Sequence, residues 1–555
     1  MNYSSKILSQ LVVELCISKE IDHVVISPGS RNAPLIIGFT SQDFFKCYSI
    51  VDERCAAFFA LGLAQQLQKP VAMVCSSGSA SLNYYPAIAE AYYSDIPLVV
   101  ITADRPSHLV DIGDGQTIRQ EHVYANHIEY SANCKEGESY QEFNENEINK
   151  ALNTAIERQG PVHINIPFSE PLYHRVAEKN INPISIAPNF IQDVVDAIQL
   201  KNLAEKWNGA SKKMILVGSL FPNAIASKHL DSLANDTAVM VLTETTSNLH
   251  HANFFPAIDQ LISSLLEEES KTFQPDILLT FGGMVVSKRI KAFLRKYSPK
   301  EHWHVGLKTA NDTFFCLTEH IKNTPNTFLE HFLPLTVSSE SNYQKLGLAL
   351  KKTKLEKQLQ FETNIPFSDF SVYHSIFKSI PDNTQLQLAN STAIRYAQLF
   401  PLASSLRVFC NRGTSGIDGS TSTAVGAAVA FQNPTVFITG DLSFFYDSNA
   451  LWNKYILNSF RIIVVNNAGG GIFRILPNAK EVPHFEEFFE TKHALTAEHL
   501  CAMFGFEYKS AWNMDSLENV LKSFYSEGNK PKLLEIFTPS KINDEVLKNY
   551  FTAIS

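Results

Sequence analysis

The feature that most constrains this chain is an alternation that returns in three successive stretches: short runs of β-branched residues separated by helical sequence. The first stretch has HVVIS (23–27), YSIV (48–51), VAMVC (71–75), PLVVITA (97–103) and PVHINIP (161–167), with helical runs at 54–68 and 79–93. The second has MILVGS (214–219), VMVLTET (239–245), ILLTFGG (277–283) and HWHVGL (302–307). The third has TQLQLAN (384–390), RVFCN (407–411), TVFITGD (435–441), RIIVVNN (461–467) and KLLEIFT (532–538). Strands that alternate with helices build βαβ units and parallel sheets. The expectation is therefore an α/β protein of three doubly wound parallel-sheet domains, at 1–180, 190–340 and 365–555. NPISIAPN (182–189) reads as a linker, and the Lys-rich 338–365 as a solvated helix and connection. No short-period repeat is visible.

A chain of 555 residues is too long for one core, in agreement with that division. Eight cysteines stand singly, with no CxxC, as small buried residues of a reducing cytoplasm would. A net charge of −9 without a basic run excludes general nucleic-acid binding. No apolar run reaches the roughly 18 residues of a membrane span. The start, MNYSSKILSQLVVELCISKE, reads as an amphipathic helix without the apolar core and cleavage site of a signal peptide.

Two places carry chemistry. The strand TVFITG runs into Asp441, in GDLSFFYDSNAL, and after one helix RIIVV ends at Asn466-Asn467 and AGGGIF. Both strand ends face the side on which open α/β sheets bind ligands. The Asp441 carboxylate and Asn467 carbonyl are hard oxygen ligands suited to Mg²⁺, which takes its other oxygens from phosphate and water. Gly469 offers a backbone carbonyl. Separately, Asp52-Glu53-Arg54 opens a strongly apolar helix. Asp52 suits an N-cap. Glu53, ahead of a helix buried nearly all round, is either paired or has a task that needs a raised pKa.

The joint pattern resembles the motif of thiamin diphosphate-dependent decarboxylases and synthases. Leu442 stands where that motif has Gly, and the spacing to the asparagines is slightly short. The resemblance implies that Asp441, Asn467 and Gly469 hold Mg²⁺ (or Mn²⁺) and that Glu53 meets the pyrimidine ring nitrogen. Ser79, Asn83, Gly416, Ile417, Leu442, Ser443, Ile472 and Phe473 would complete the cofactor site, with Ile417 as its bulky prop.

ISPGSRNAPL (26–35), SSGSASLNYYPAIAEA (76–91), ITADRP (101–106), GQTIRQ (115–120), NRGTSGIDGSTSTAVG (411–426) and NNAGGGIFRILP (466–477) narrow the resemblance. They are similar to the 2-succinyl-5-enolpyruvyl-6-hydroxy-3-cyclohexene-1-carboxylate (SEPHCHC) synthase family of menaquinone biosynthesis. That implies a transferase that decarboxylates 2-oxoglutarate and adds the succinyl carbanion equivalent to isochorismate. Both substrates are dicarboxylates, which the planar fork of Arg meets bidentately. The resemblance assigns Ser30, Arg31, Arg105, Gln116, Lys288, Arg289, Ser391, Arg395 and Arg412 to the substrates. Ser391, Arg395 and Arg412 join Glu53 as catalytic residues, and Ile472, Phe473 and Leu476 wall the pocket. It also implies a homodimer or homotetramer with the cofactor at the subunit interface. One departure stands out: DIGDGQTIRQ carries Asp114-Gly115 where the family often has a neutral pair ending in Asn. Ser79 and Cys55 are benign exchanges.

Other readings fit less well. Another thiamin diphosphate-dependent 2-oxo acid decarboxylase, or a carboligase like acetohydroxyacid synthase, leaves the many candidate cations without a purpose. A nucleotide-binding oxidoreductase would need GxGxxG after a strand. An inactive scaffold would be expected to lack Glu53 or Asp441.

Overall fold

The computed structural model describes residues 3–190, 192–476 and 478–555; Pro477 of the last motif lies outside them. Three parallel sheets form the framework, beside a two-residue antiparallel pairing of Tyr3–Ser4 with Arg175–Val176. In space the first sheet runs Lys46–Ser49, His23–Ile26, Val71–Cys75, Leu98–Asp104, Val162–Pro167, Tyr130–Asn133. The third runs Arg407–Cys410, Gln385–Leu388, Thr435–Gly440, Phe460–Asn466, Lys532–Phe537, Glu507–Ala511. The two orders match strand for strand, a long-range duplication that short-period comparison of residues does not reveal. The middle sheet runs Val239–Thr243, Lys213–Val217, Ile277–Phe281, Glu301–Val305, Glu319–Ile321. At its switch point a Cβ on Gly218 would lie 1.9 Å from the Gly283 carbonyl oxygen, so the two strand-end backbones pass in close contact there.

Several local expectations shift. The strand read at 48–51 pairs only as Lys46–Ser49, because the Ile50 N–H makes the last bond, to Ile26 O at 3.1 Å. The chain then turns to its cap. The helix read at 79–93 is two, Ser79–Asn83 and Tyr85–Ser94, since Pro86 has no N–H to continue the first. Within 338–365, the helix Tyr343–Glu362 is not simply solvated. Tyr343, Gln344, Gly347, Lys354 and Gln358 are buried along one side, where Lys354 Nζ donates to Ile554 O at 2.6 Å. Long lysine stems cover apolar surface while looking polar in sequence.

The first and third sheets share one core. Helix Glu53–Leu67 is buried from Cys55 to Ala64 and crosses helix Ser420–Phe431 backbone to backbone. A Cβ on Gly62 would meet Thr423 O at 2.1 Å, and one on Gly426 would meet Phe59 O at 2.1 Å. The middle of the helix that bears Glu53 is thereby held against the third domain.

Candidate active site

Asp441 begins the helix Asp441–Tyr446 and is buried. Its Oδ1 accepts from Leu442 N at 2.7 Å and its Oδ2 from Gly469 N at 2.9 Å, which draws the two strand ends together. Gly469 sits at φ +150°, and a Cβ there would lie 2.5 Å from Glu490 O. Glycine is required at that position. Its carbonyl accepts Gly471 N at 3.0 Å. Beside Asp441, Asn467 donates its amide to Asp369 Oδ2 at 2.9 Å. Its Oδ1 is buried without a hydrogen-bond partner among the described residues. A carboxylate beside an orphaned amide oxygen is the hard, oxygen-only donor set that Mg²⁺ takes, so these residues fit the metal. Ser420 Oγ and Thr421 Oγ1 are likewise buried and unpartnered among the described residues.

The neighbouring residues form a chain of contacts from this point. Ser443 Oγ donates to Ile417 O at 3.0 Å. Asn390 donates to Gly416 O at 2.7 Å and to Asn411 O at 2.8 Å. Arg412 donates to Asn390 Oδ1 at 2.7 Å, leaving its buried Nε without a partner among the described residues. Ser391 stands between strand and helix at φ +70°, a strained conformation for a non-glycine residue. Arg395 donates to its carbonyl at 2.6 Å. Burial, and then the Arg412 charge, lower the Arg395 pKa. Ile417 and Leu476 are exposed, while Ile472 and Phe473 are half-buried on the short helix Ile472–Ile475.

A second group lies in the first domain. Asp52 caps the Glu53 helix, accepting from Cys55 N at 3.2 Å. Burial raises the Glu53 pKa and Asp52 adds to the shift, against a hydrogen bond with Asn83. Arg31 is buried and donates to Phe168 O at 2.7 Å, with Glu170 at 3.2 Å. Arg105 donates to Gly115 O at 3.0 Å and has Asp114 Oδ2 at 3.5 Å. The unusual Asp114-Gly115 pair thus holds one of the expected substrate arginines. Ser30 and Gln116 are exposed, and the Gln116 backbone lies against Gly78, just before exposed Ser79.

Lys288 and Arg289, both exposed, start a basic amphipathic helix, Lys288–Lys296, that buries Ile290, Phe293 and Leu294. Arg289 is 4.0 Å from Asp259 and stacks on Phe551, 4.3 Å from the ring centre. Among the described residues no hydrogen bond or ion pair joins Glu53 itself to Asp441, Asn467 or Gly469. Arg54 instead donates to Tyr446 O at 3.0 Å, and Asn449 to Asp52 at 2.8 Å, at the far end of the Asp441 helix.

Three acidic residues and a histidine in this region carry no sequence signal strong enough to be singled out. Asp369 looks like an ordinary helix-start acid, yet it is buried and accepts from Thr538 at 2.6 Å as well as from Asn467. Glu244 accepts from Val286 N at 2.6 Å and Ser287 N at 2.7 Å beneath the loop that carries Lys288; burial pushes its pKa up to about 7. Asp447 accepts from Ser422 N at 2.7 Å and lies 3.7 Å from Arg54. His493, outside every motif, has Nε2 3.3 Å from Asp441 Oδ2.

Comparison with known proteins agrees with this fold. Residues 7–128 match the N-terminal TPP binding domain of thiamine pyrophosphate enzymes, 190–388 their middle domain, and 391–536 their C-terminal TPP binding domain. The crystal structure of benzoylformate decarboxylase from Polynucleobacter necessarius shares the fold: TM-score 0.73 at 15% identity, over 97% of this chain and 99% of that one. Fold and site together define a thiamine pyrophosphate enzyme. Curated relatives go further: 2-succinyl-5-enolpyruvyl-6-hydroxy-3-cyclohexene-1-carboxylate synthases of Christiangramia forsetii and Flavobacterium psychrophilum are 56% and 54% identical, over 99% of each chain. The corresponding synthase of Porphyromonas gingivalis is 37% identical over 100% of this chain and 98% of its own. The chain belongs to the SEPHCHC synthase family.

Proposed function

We propose that this enzyme, with thiamin diphosphate and Mg²⁺, decarboxylates 2-oxoglutarate and joins the succinyl unit to isochorismate, giving SEPHCHC for menaquinone biosynthesis. When bound, the cofactor supplies the stabilised carbanion chemistry by which a 2-oxo acid loses CO₂ and its carbonyl carbon becomes a nucleophile. Asp441, Asn467 and Gly469 hold the metal, and Ser443, Gly416 and Ile417 border the diphosphate site. Glu53 keeps a proton at its carboxyl for the pyrimidine ring nitrogen, a task that its raised pKa favours. Ser30, Arg31, Arg105, Gln116, Lys288, Arg289, Ser391, Arg395 and Arg412 bind the substrate carboxylates and hydroxyls, while Ile472, Phe473 and Leu476 exclude water.

The observation that carries this reading is the buried, unpartnered Asn467 Oδ1 beside Asp441, linked through Ser443, Ile417 and Asn390 to Arg412. We further propose that Glu53 of one subunit completes the Asp441 site of another, in a homodimer or pair of dimers. Arg54 and Asp52, on either side of Glu53, bond to Tyr446 and Asn449 at the far end of the Asp441 helix and not to its metal-binding start, which supports that arrangement. The division at 1–180, 190–340 and 365–555 is the domain scheme we propose. Eight free cysteines support a reducing, cytoplasmic location, and no described helix is long and apolar enough to cross a membrane.

Release of CO₂ from 2-oxoglutarate labelled in the carboxyl next to its keto group tests the donor. It is expected to require both thiamin diphosphate and Mg²⁺ and to exceed release from pyruvate. A preference for pyruvate would contradict the assignment.

A further inference from the structure

Glu90 lies on helix Tyr85–Ser94 of the first domain and is 1% exposed. Its Oε1 accepts from Gly413 N at 2.7 Å and Ser94 Oγ at 2.9 Å. Its Oε2 accepts from Thr414 N at 2.7 Å and Thr414 Oγ1 at 2.8 Å. Both backbone N–H groups that follow Arg412 are therefore tied to one carboxylate from another domain. The approach is close: a Cβ on Gly413 would stand 2.6 Å from Glu90 O. On the other side of the same loop, Asn390 takes the Arg412 guanidinium at 2.7 Å and donates to Asn411 O and Gly416 O. A buried carboxylate that accepts four hydrogen bonds fits these donors, whereas an amide would turn N–H groups toward backbone N–H groups.

We infer that Glu90 is a positioning residue for the reaction: from the first domain it locks the Arg412–Thr414 loop of the third, holding the Arg412 guanidinium ready for a substrate carboxylate. It rests on the reading of Arg412 as a substrate ligand. Glu90 itself touches no reacting atom. Its contribution is the placement of a cation whose small displacement is costly, up to about 100-fold in rate for a shift of about 1 Å.

The test uses the full-length enzyme with thiamin diphosphate and Mg²⁺, comparing wild type, Glu90→Gln, Arg412→Ala and the double variant. Glu90→Gln is expected to raise KM for at least one dicarboxylate substrate on the order of tenfold, with thiamin diphosphate affinity unchanged by calorimetry. In the Arg412→Ala background the same change is expected to add little, because the group it positions is gone. An equal loss in both backgrounds, or an unchanged KM, overturns the inference. A silent Arg412→Ala overturns it too, and in addition refutes the reading of Arg412. Should Glu90→Gln fail to fold, Thr414→Val removes only the hydroxyl donor. A smaller rise in the same KM is then expected, and no rise overturns the inference.

Discussion

Glu53 and Asp369 are acids at helix starts whose work differs with their surroundings. Glu53 is half-buried, with its pKa raised by burial, and is suited to sharing a proton. Glu53→Gln is expected to cut turnover about 10²- to 10⁴-fold while thiamin diphosphate binding, followed by calorimetry, changes little; unchanged turnover would remove its role. Asp369 is wholly enclosed and accepts the Asn467 amide, which turns Asn467 Oδ1 the other way. Asp369→Asn is therefore expected to weaken Mg²⁺ affinity about 10- to 100-fold, as loss of an orienting neighbour does. Mn²⁺ binding read by electron paramagnetic resonance checks this, and an unaltered affinity would contradict it. Glu53 was legible because a carboxylate ahead of an apolar helix is anomalous. Asp369, in FSDFS, was not, because an acid at a polar helix start is ordinary and its neighbours Asn467 and Thr538 are far along the chain. Asp114 was legible only as an oddity, until the fold brought Arg105 to it.

At the scale of elements, two contacts carry testable consequences. At the crossing of Glu53–Leu67 with Ser420–Phe431, Gly62→Ala gains up to about 1 kcal/mol of helix propensity. Its Cβ would nonetheless meet Thr423 O at 2.1 Å, and overpacking costs about 1–3 kcal/mol or more. Overlap wins, so the variant is expected to denature at lower urea concentration; a higher midpoint would show that the helices can part freely. Glu244 braces the loop before Lys288–Lys296 and keeps its proton to about 7, against an ordinary 4.5. Between those values the folded state binds more protons than the unfolded chain. This group's share of stability therefore falls as pH rises through that window, by at most about 1.4 kcal/mol per pH unit. Glu244→Gln is expected to flatten the decline of the thermal midpoint between pH 5 and 7, and parallel slopes would contradict the assignment. The central strands of all three sheets stood out in the sequence as continuous apolar runs. The edge strands Tyr130–Asn133, Glu319–Ile321 and Glu507–Ala511 did not, because one flank faces solvent and their residues are mixed.

For the whole molecule, the first and third sheets have matching strand orders, and on the proposed reading each carries one half-site: Glu53 with Asn83 on one, Asp441 with Asn467 on the other. The matching order was invisible in the residues, since strand order depends on pairings between segments far apart in the chain. Sedimentation of the enzyme with cofactor is expected to give a dimer or larger; a fully active monomer would refute the shared site. The central claim is tested most directly by following isochorismate with purified enzyme while omitting thiamin diphosphate, Mg²⁺ or 2-oxoglutarate in turn. Loss of isochorismate that needs all three, with a succinylated product by mass spectrometry, is the result expected. Release of CO₂ from 2-oxoglutarate with isochorismate untouched would contradict the synthase assignment while leaving the cofactor site intact.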